Sequence, residues 1–167
     1  MAGLTALIGH TGFVGSNLLR QAAFDDHYNT SNLEDIRGRH YDLVVSAGAP
    51  AVKWLANKEP AADRTSIQRL MDSLAQVQAD RFILISTIDV YPDTVGLDES
   101  ADIALDTVAP YGRHRLELER FVLDRFPHGT AVRLPALFGP GLKKNVIYDL
   151  LHQPDFLKGM DGRSSFQ

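Results

Sequence analysis

The part of the chain best suited to chemistry comes early, in Gly9-His10-Thr11-Gly12-Phe13-Val14-Gly15, where three glycines recur with G-x-x-G-x-x-G spacing. An apolar run, residues 4–8, precedes them, and a helical pattern over residues 14–23 follows. In that strand-to-helix setting each glycine has a use. One allows the turn to take positive φ, one lets the backbone approach an anion without a Cβ in the way, and one lets the helix pack closely on the strand. The helix N-terminus then faces a pyrophosphate. Gly9, Thr11, Gly12, Phe13, Val14 and Gly15 are therefore candidate contacts for the diphosphate of a dinucleotide. The competing reading is a glycine-rich structural turn, and His10 reads as a variable loop residue.

A second strand should place one more contact at the adenosine ribose. An acidic side chain there favours NAD, whereas an Arg favours a 2'-phosphate. The expected position holds Asn29 or Thr30, so the sequence leaves NAD against NADP open. Asp35-Ile36-Arg37 could end a strand against an adenine, but Ser31 and Glu34 have capping-box spacing and favour a helix over residues 31–39.

The elements that must position these residues alternate along the chain. Residues 4–8, 42–46, 82–86 and 130–134 are short apolar runs ended by Gly, Ser or Pro, as expected of buried parallel strands. Helical patterns over residues 14–23, 31–39, 65–78 and 111–125 lie between them. Alternation of this kind predicts a doubly wound parallel α/β sheet in three layers, α/β/α, with ligands at the carboxyl ends of the strands. Residues 25–32 leave room for one strand, about 27–30, where a full half-unit holds two strands and a helix. That side of the sheet should be abbreviated. After Pro140 come one apolar helical piece, residues 146–151, and a polar stretch, so the expected division is a dinucleotide-binding domain over 1–141 and, over 142–167, the start of a truncated further lobe or a tail.

Composition narrows the classes. The chain has 167 residues, 17 Lys plus Arg against 21 Asp plus Glu, and no cysteine. One domain with a sizeable core is expected. A net charge of -4 without a basic run argues against nucleic acid. Without cysteine there is no thiol nucleophile and no disulfide framework, which together with the absence of a leader pattern makes a cytoplasmic protein the expectation. No apolar stretch approaches the roughly 20 residues that cross a bilayer. There is no G-x-x-x-x-G-K-[ST] and no G-x-S-x-G, so neither a P-loop nucleotidase nor a hydrolase of the nucleophile-elbow type is supported. His10, His27, His40, His114, His128 and His152 have no metal-ligand spacing, so no metal is expected.

Gly9 to Gly15, Ser46-Ala47-Gly48-Ala49, Ser86-Thr87-Ile88-Asp89-Val90-Tyr91, Pro110-Tyr111 to Glu119, and Arg133 to Gly141 occur in the order and approximate spacing of extended short-chain dehydrogenases. Over nearly its whole length the chain resembles the NAD-dependent epimerase/dehydratase family, the nucleotide-sugar type. The resemblance implies a Rossmann domain, NAD or NADP as hydride carrier, a nucleotide sugar as substrate and a smaller C-terminal substrate lobe. It adds Ala47, Gly48, Ala49 and Leu134 to the cofactor contacts. It also implies a homodimer through helices 65–78 and 111–125.

Carried onto this sequence, Thr87 resembles the family's catalytic Ser/Thr, whose hydroxyl bonds the reacting sugar oxygen, and Tyr111 resembles the catalytic tyrosine. A free phenol has a pKa of about 10, so a cation is needed beside it. The family supplies a lysine four residues on; here that position is Arg115, on the same helix face. Arg115 keeps the charge and could anchor the ribose, but a planar guanidinium relays protons less readily than an ammonium. A binding module without turnover is the alternative reading. Asp89 stands where dehydratases carry the Glu of an Asp-Glu pair, while Ile88 replaces the Asp.

Overall fold

The computed structural model describes residues 3–93 and 96–143, with Tyr148 and His152. Five parallel strands carry it: β1 Thr5–Ile8, β2 Asp26–Tyr28, β3 His40–Ser46, β4 Gln78–Thr87 and β5 Gly129–Leu134. Their order across the sheet is β2-β1-β3-β4-β5. Parallel neighbours need crossovers, and four helices supply or flank them: α1 Phe13–Leu19, α2 Lys53–Lys58, α3 Pro60–Leu74 and α4 Pro110–Arg125. The order turns back on itself between β1 and β3, the one neighbouring pair not consecutive in sequence. Right-handed crossovers running in opposite directions from that point put α1 on one face and α3 and α4 on the other, a doubly wound Rossmann sheet.

The register explains which residues are buried. Ala6, Val44 and Leu84 point to one face and join Ile67, Leu74 and Val122 of α3 and α4 in the main core. Phe82 and Phe126 stack there with ring centroids 4.3 Å apart. The first compact unit runs from Met1 to Leu134, and the second is Pro135–Gln167. The helical piece expected over residues 146–151 lies outside the described residues, apart from Tyr148.

The expected strands and helices are present, with corrected bounds. β2 is only three residues long and forms the sheet edge, which is the abbreviated side expected from sequence. β4 extends well beyond the apolar run because Gln78 to Arg81 also pair with β3, His40 against Gln78 and Leu43 against Arg81. The same pairing ends the helix expected over 65–78 early, at Leu74, and that helix starts earlier, at Pro60. Proline suits the first helical position because it has no N–H to leave unpaired. The helix expected over 31–39 is a single 3₁₀ turn, Leu33–Ile36, and Ser31 does not cap it. Ser31 donates its N–H and hydroxyl to Asn29 Oδ1, at 2.8 and 2.6 Å, so a local side-chain turn displaces the capping box. Helix α1 ends at Leu19, short of residue 23.

Candidate functional site

At the carboxyl end of β1 the glycine loop takes the form its spacing implies. Gly9 has φ +82°, and a Cβ on it would lie 2.2 Å from the Ala47 carbonyl oxygen. A Cβ on Gly15 would lie 2.2 Å from the Gly9 oxygen. Both positions are closed to any side chain. Gly12 differs: an added Cβ would meet only the Gly9 oxygen, at 3.3 Å. Gly12 and Thr11 are exposed, Phe13 and Val14 half-buried, and no side chain caps the start of α1. An open glycine under uncapped helix N–H groups fits a diphosphate, so these residues suit the dinucleotide expected from sequence.

The neighbouring loop, residues 47–50, packs against the first. Ala47 N–H donates to the Ile8 carbonyl at 2.8 Å, and Gly48 passes so close to Ile8 that an added Cβ would lie 2.8 Å from its Cγ2. Ser46, at the base of this loop, has a buried hydroxyl without a hydrogen-bond partner. Asn29 stands just past β2, which Gly9 N–H joins through the Tyr28 carbonyl at 2.7 Å. Its Oδ1 is taken by Ser31, and its Nδ2 lies 3.3 Å from His10 Nε2. Among the described residues no carboxylate or guanidinium is bonded to it.

Across the sheet, Thr87 ends β4 opposite Leu134 of β5. The chain then turns sharply through Ile88–Val90, capped by Thr87 Oγ1, which accepts from Asp89 N–H at 3.1 Å. The start of α4 lies directly on this turn: a Cβ on Gly112 would sit 1.8 Å from the Asp89 carbonyl oxygen. Tyr111 is therefore held beside the Asp89 turn by the absence of a side chain at the next residue. From α2, Asn57 Oδ1 accepts the Tyr111 N–H at 2.9 Å, and Lys53 Nζ pairs with Asp89 Oδ1 at 2.6 Å.

Arg115 lies on the Tyr111 side of α4, as its spacing requires, but its fork faces inward. It is 2% exposed, and its guanidinium carbon lies 4.0 Å from the Tyr111 ring centroid. It donates to both oxygens of the buried Asp63, to the Pro50 carbonyl at 2.5 Å and to the Tyr111 carbonyl at 3.2 Å. His114 Nδ1 bonds the same carboxylate at 2.7 Å. Burial pushes the Tyr111 phenol above its ordinary value; Arg115 pulls it down, Asp89 and Asp63 push it further up, and the net direction is upward.

Thr87 caps the Ile88–Val90 turn and the start of α4, with Tyr111, lies on that same turn, while the glycine loop, loop 47–50, Asn29 and Leu134 stand at the carboxyl edge of the sheet. Lys53, Asn57, Asp63 and Gly112 are site residues that the sequence reading missed. A glycine following the tyrosine was the one available sign, since α4 otherwise carries no helix-breaking residue after Pro110. Among the described residues no group of three or more His, Asp or Glu could hold a metal, and no helix is long and apolar enough to cross a membrane.

Residues 26–153 match the NAD dependent epimerase/dehydratase family. The chain belongs to that family. The match begins after the glycine loop, so the loop is carried by its own geometry. No curated protein matches the sequence. Solved structures share the fold: a dTDP-4-dehydrorhamnose reductase from Bacillus anthracis in complex with NADP (20% identity, TM-score 0.71, 91% of this chain and 60% of that one); a UDP-glucuronic acid 4-epimerase from Bacillus cereus in complex with NAD (19%, 0.66, 92% and 62%); and a UDP-N-acetylglucosamine 4-epimerase from Methanobrevibacter ruminantium in complex with UDP-N-acetylmuramic acid (19%, 0.66, 87% and 58%). The chain spans about 60% of the length of these structures. Membership of the epimerase/dehydratase family agrees with the resemblance drawn from the motifs, and the doubly wound sheet agrees with the expected fold.

Proposed function

We propose that the chain binds NAD or NADP and takes part in hydride-transfer chemistry on a nucleotide sugar, as an oxidoreductase or epimerase. The observation that carries this reading is Gly112, whose missing side chain lets the start of α4, which carries Tyr111, lie on the turn that Thr87 caps. Gly9, Thr11, Gly12, Phe13, Val14 and Gly15 would hold the diphosphate, with Asn29 toward the adenosine ribose. Ala47, Gly48, Ala49 and Leu134 would line the path toward the nicotinamide. When bound, the dinucleotide supplies the hydride acceptor or donor. Tyr111 would take or return the hydroxyl proton of the sugar, and Thr87 would bond the reacting oxygen. Residues 1–141 form the binding domain in this reading and residues 142–167 open the substrate lobe, with α3 and α4 as the dimer face.

A second reading, a dinucleotide-binding module without turnover, is favoured by one observation. Arg115 spends its fork on Asp63 and Pro50, and the Tyr111 phenol stays above its ordinary value instead of being drawn down for proton transfer. Titration with NAD(H) and NADP(H), followed by nicotinamide fluorescence or calorimetry, tests both readings. Saturable binding that Gly12→Asp abolishes supports a dinucleotide site; no binding of either cofactor overturns both. Where binding occurs, hydride exchange between reduced cofactor and a panel of 4-keto nucleotide sugars separates them.

A further inference from the structure

The guanidinium at the position where the resemblance places a lysine is buried, and its fork is shared among α3, loop 47–50 and its own helix. Asp89, the carboxylate bonded to Thr87, is met by a different cation. Lys53 projects from α2, which Asn57 fastens to the start of α4, and its side chain is 52% exposed while that of its partner Asp89 is 19% exposed. Asp89 is bonded at both oxygens, to Lys53 Nζ at 2.6 Å through Oδ1 and to the Thr87 hydroxyl at 3.1 Å through Oδ2. A carboxylate only accepts hydrogen bonds, so Thr87 must be the donor in the second of these.

We propose that Lys53 is a positioning residue for Thr87: by gripping one oxygen of Asp89 it fixes the other where it takes the Thr87 hydroxyl hydrogen. Thr87 Oγ1 also accepts from Asp89 N–H, which leaves one lone pair unused. That lone pair can receive a hydrogen bond from a hydroxyl group of a ligand, so the arrangement presents Thr87 to an alcohol as an acceptor. The role assigned to Lys53 rests on the reading of Thr87 and Tyr111 as the reacting pair. Lys53 acts through Asp89 and not on the reaction directly. An exposed ion pair contributes little to stability, so its removal should change the side chain it orients and leave the fold as it is.

The test is NMR of threonine-labelled full chain at neutral pH, with the Thr87 methyl signal assigned by its loss in Thr87→Val and its χ1 read from three-bond couplings. In the parent chain and in Lys53→Arg, Thr87 should hold one rotamer. In Lys53→Met, and in Asp89→Ala as the control that removes the carboxylate, the coupling should fall to a rotamer-averaged value with the urea midpoint unchanged for Lys53→Met. A single Thr87 rotamer retained in Lys53→Met, averaging that Lys53→Arg fails to rescue, or a loss of stability in place of averaging would each overturn the proposal. NAD(H) and NADP(H) titrations on the same samples keep the two questions apart. A parent chain that binds neither cofactor overturns the functional reading, while the Thr87 couplings still decide the role of Lys53.

Discussion

Two glycines three positions apart have opposite tolerances, and this separates architecture from binding. Gly15→Ala would push a methyl to 2.2 Å from a backbone oxygen, whereas Gly12→Ala meets only one atom, at 3.3 Å. Gly15→Ala should therefore cost about 1–3 kcal/mol in urea unfolding. Gly12→Ala should unfold nearly as the parent does yet bind dinucleotide at least several-fold more weakly by fluorescence titration. Equal stability losses at both positions would make the whole loop architectural. Arg115 offers a second contrast. Lysine, the residue that the family resemblance expects there, carries the charge but cannot reach both Asp63 oxygens and the Pro50 carbonyl together. Arg115→Lys should lower stability by about 1–3 kcal/mol and should not strengthen cofactor binding. Asp63 adds a pH signature. Burial pushes its carboxyl up, but hydrogen bonds and charge from Arg115 and His114 outweigh burial and leave it below the ordinary value. A carboxyl depressed on folding stabilises the protein fully above its unfolded pKa, about 3.9, and that stability is lost as pH falls through the lower folded value. Urea midpoints should therefore drop on acidification below about pH 4, and Asp63→Asn, weaker at neutral pH, should show a shallower drop.

At the scale of elements, the contact between α4 and the turn after β4 decides whether a site exists. Gly112→Ala would place a methyl 1.8 Å from the Asp89 carbonyl oxygen. The helix start would have to lift, at about 1–3 kcal/mol, and Tyr111 would move away from that turn. A lower thermal midpoint together with a changed Tyr111 ring signal would bear this out; an unchanged signal would mean that Asn57 alone holds the helix start. The same elements show what a sequence can and cannot reveal. Strands β1, β3, β4 and β5 were legible because the parallel strands of such a sheet read as continuous apolar runs, and the glycine loop was legible because its spacing is local. The 3₁₀ turn Leu33–Ile36 was misread as a helix because Ser31 found a nearer partner in Asn29. Helix α2 went unseen because its six residues bury only Ala56 and show no period. Lys53, Asn57 and Asp63 matter through partners 36, 54 and 52 residues away, and no local pattern encodes such pairings.

For the whole molecule, a ligand that binds only the folded state stabilises it by mass action. NAD(H) or NADP(H) at a hundredfold excess over its dissociation constant should raise the unfolding free energy by about 2.7 kcal/mol, read as an upward shift of the urea midpoint. The cofactor that gives the shift at the lower concentration is the preferred one. The return of the sheet order between β1 and β3 has a further consequence. Every other neighbouring pair of strands belongs to one consecutive strand–connection–strand unit, so the four residue pairs from Thr5 opposite Leu43 to Ile8 opposite Ser46 are where two such blocks meet. Their backbone amides should exchange with solvent as a group, in a partial opening that leaves β3–β4–β5 closed. A diphosphate on the glycine loop, across from loop 47–50, would bridge the two blocks. Dinucleotide should then slow deuterium uptake in β1 more than in β5, so that the ligand acts as a latch between the two blocks of the sheet.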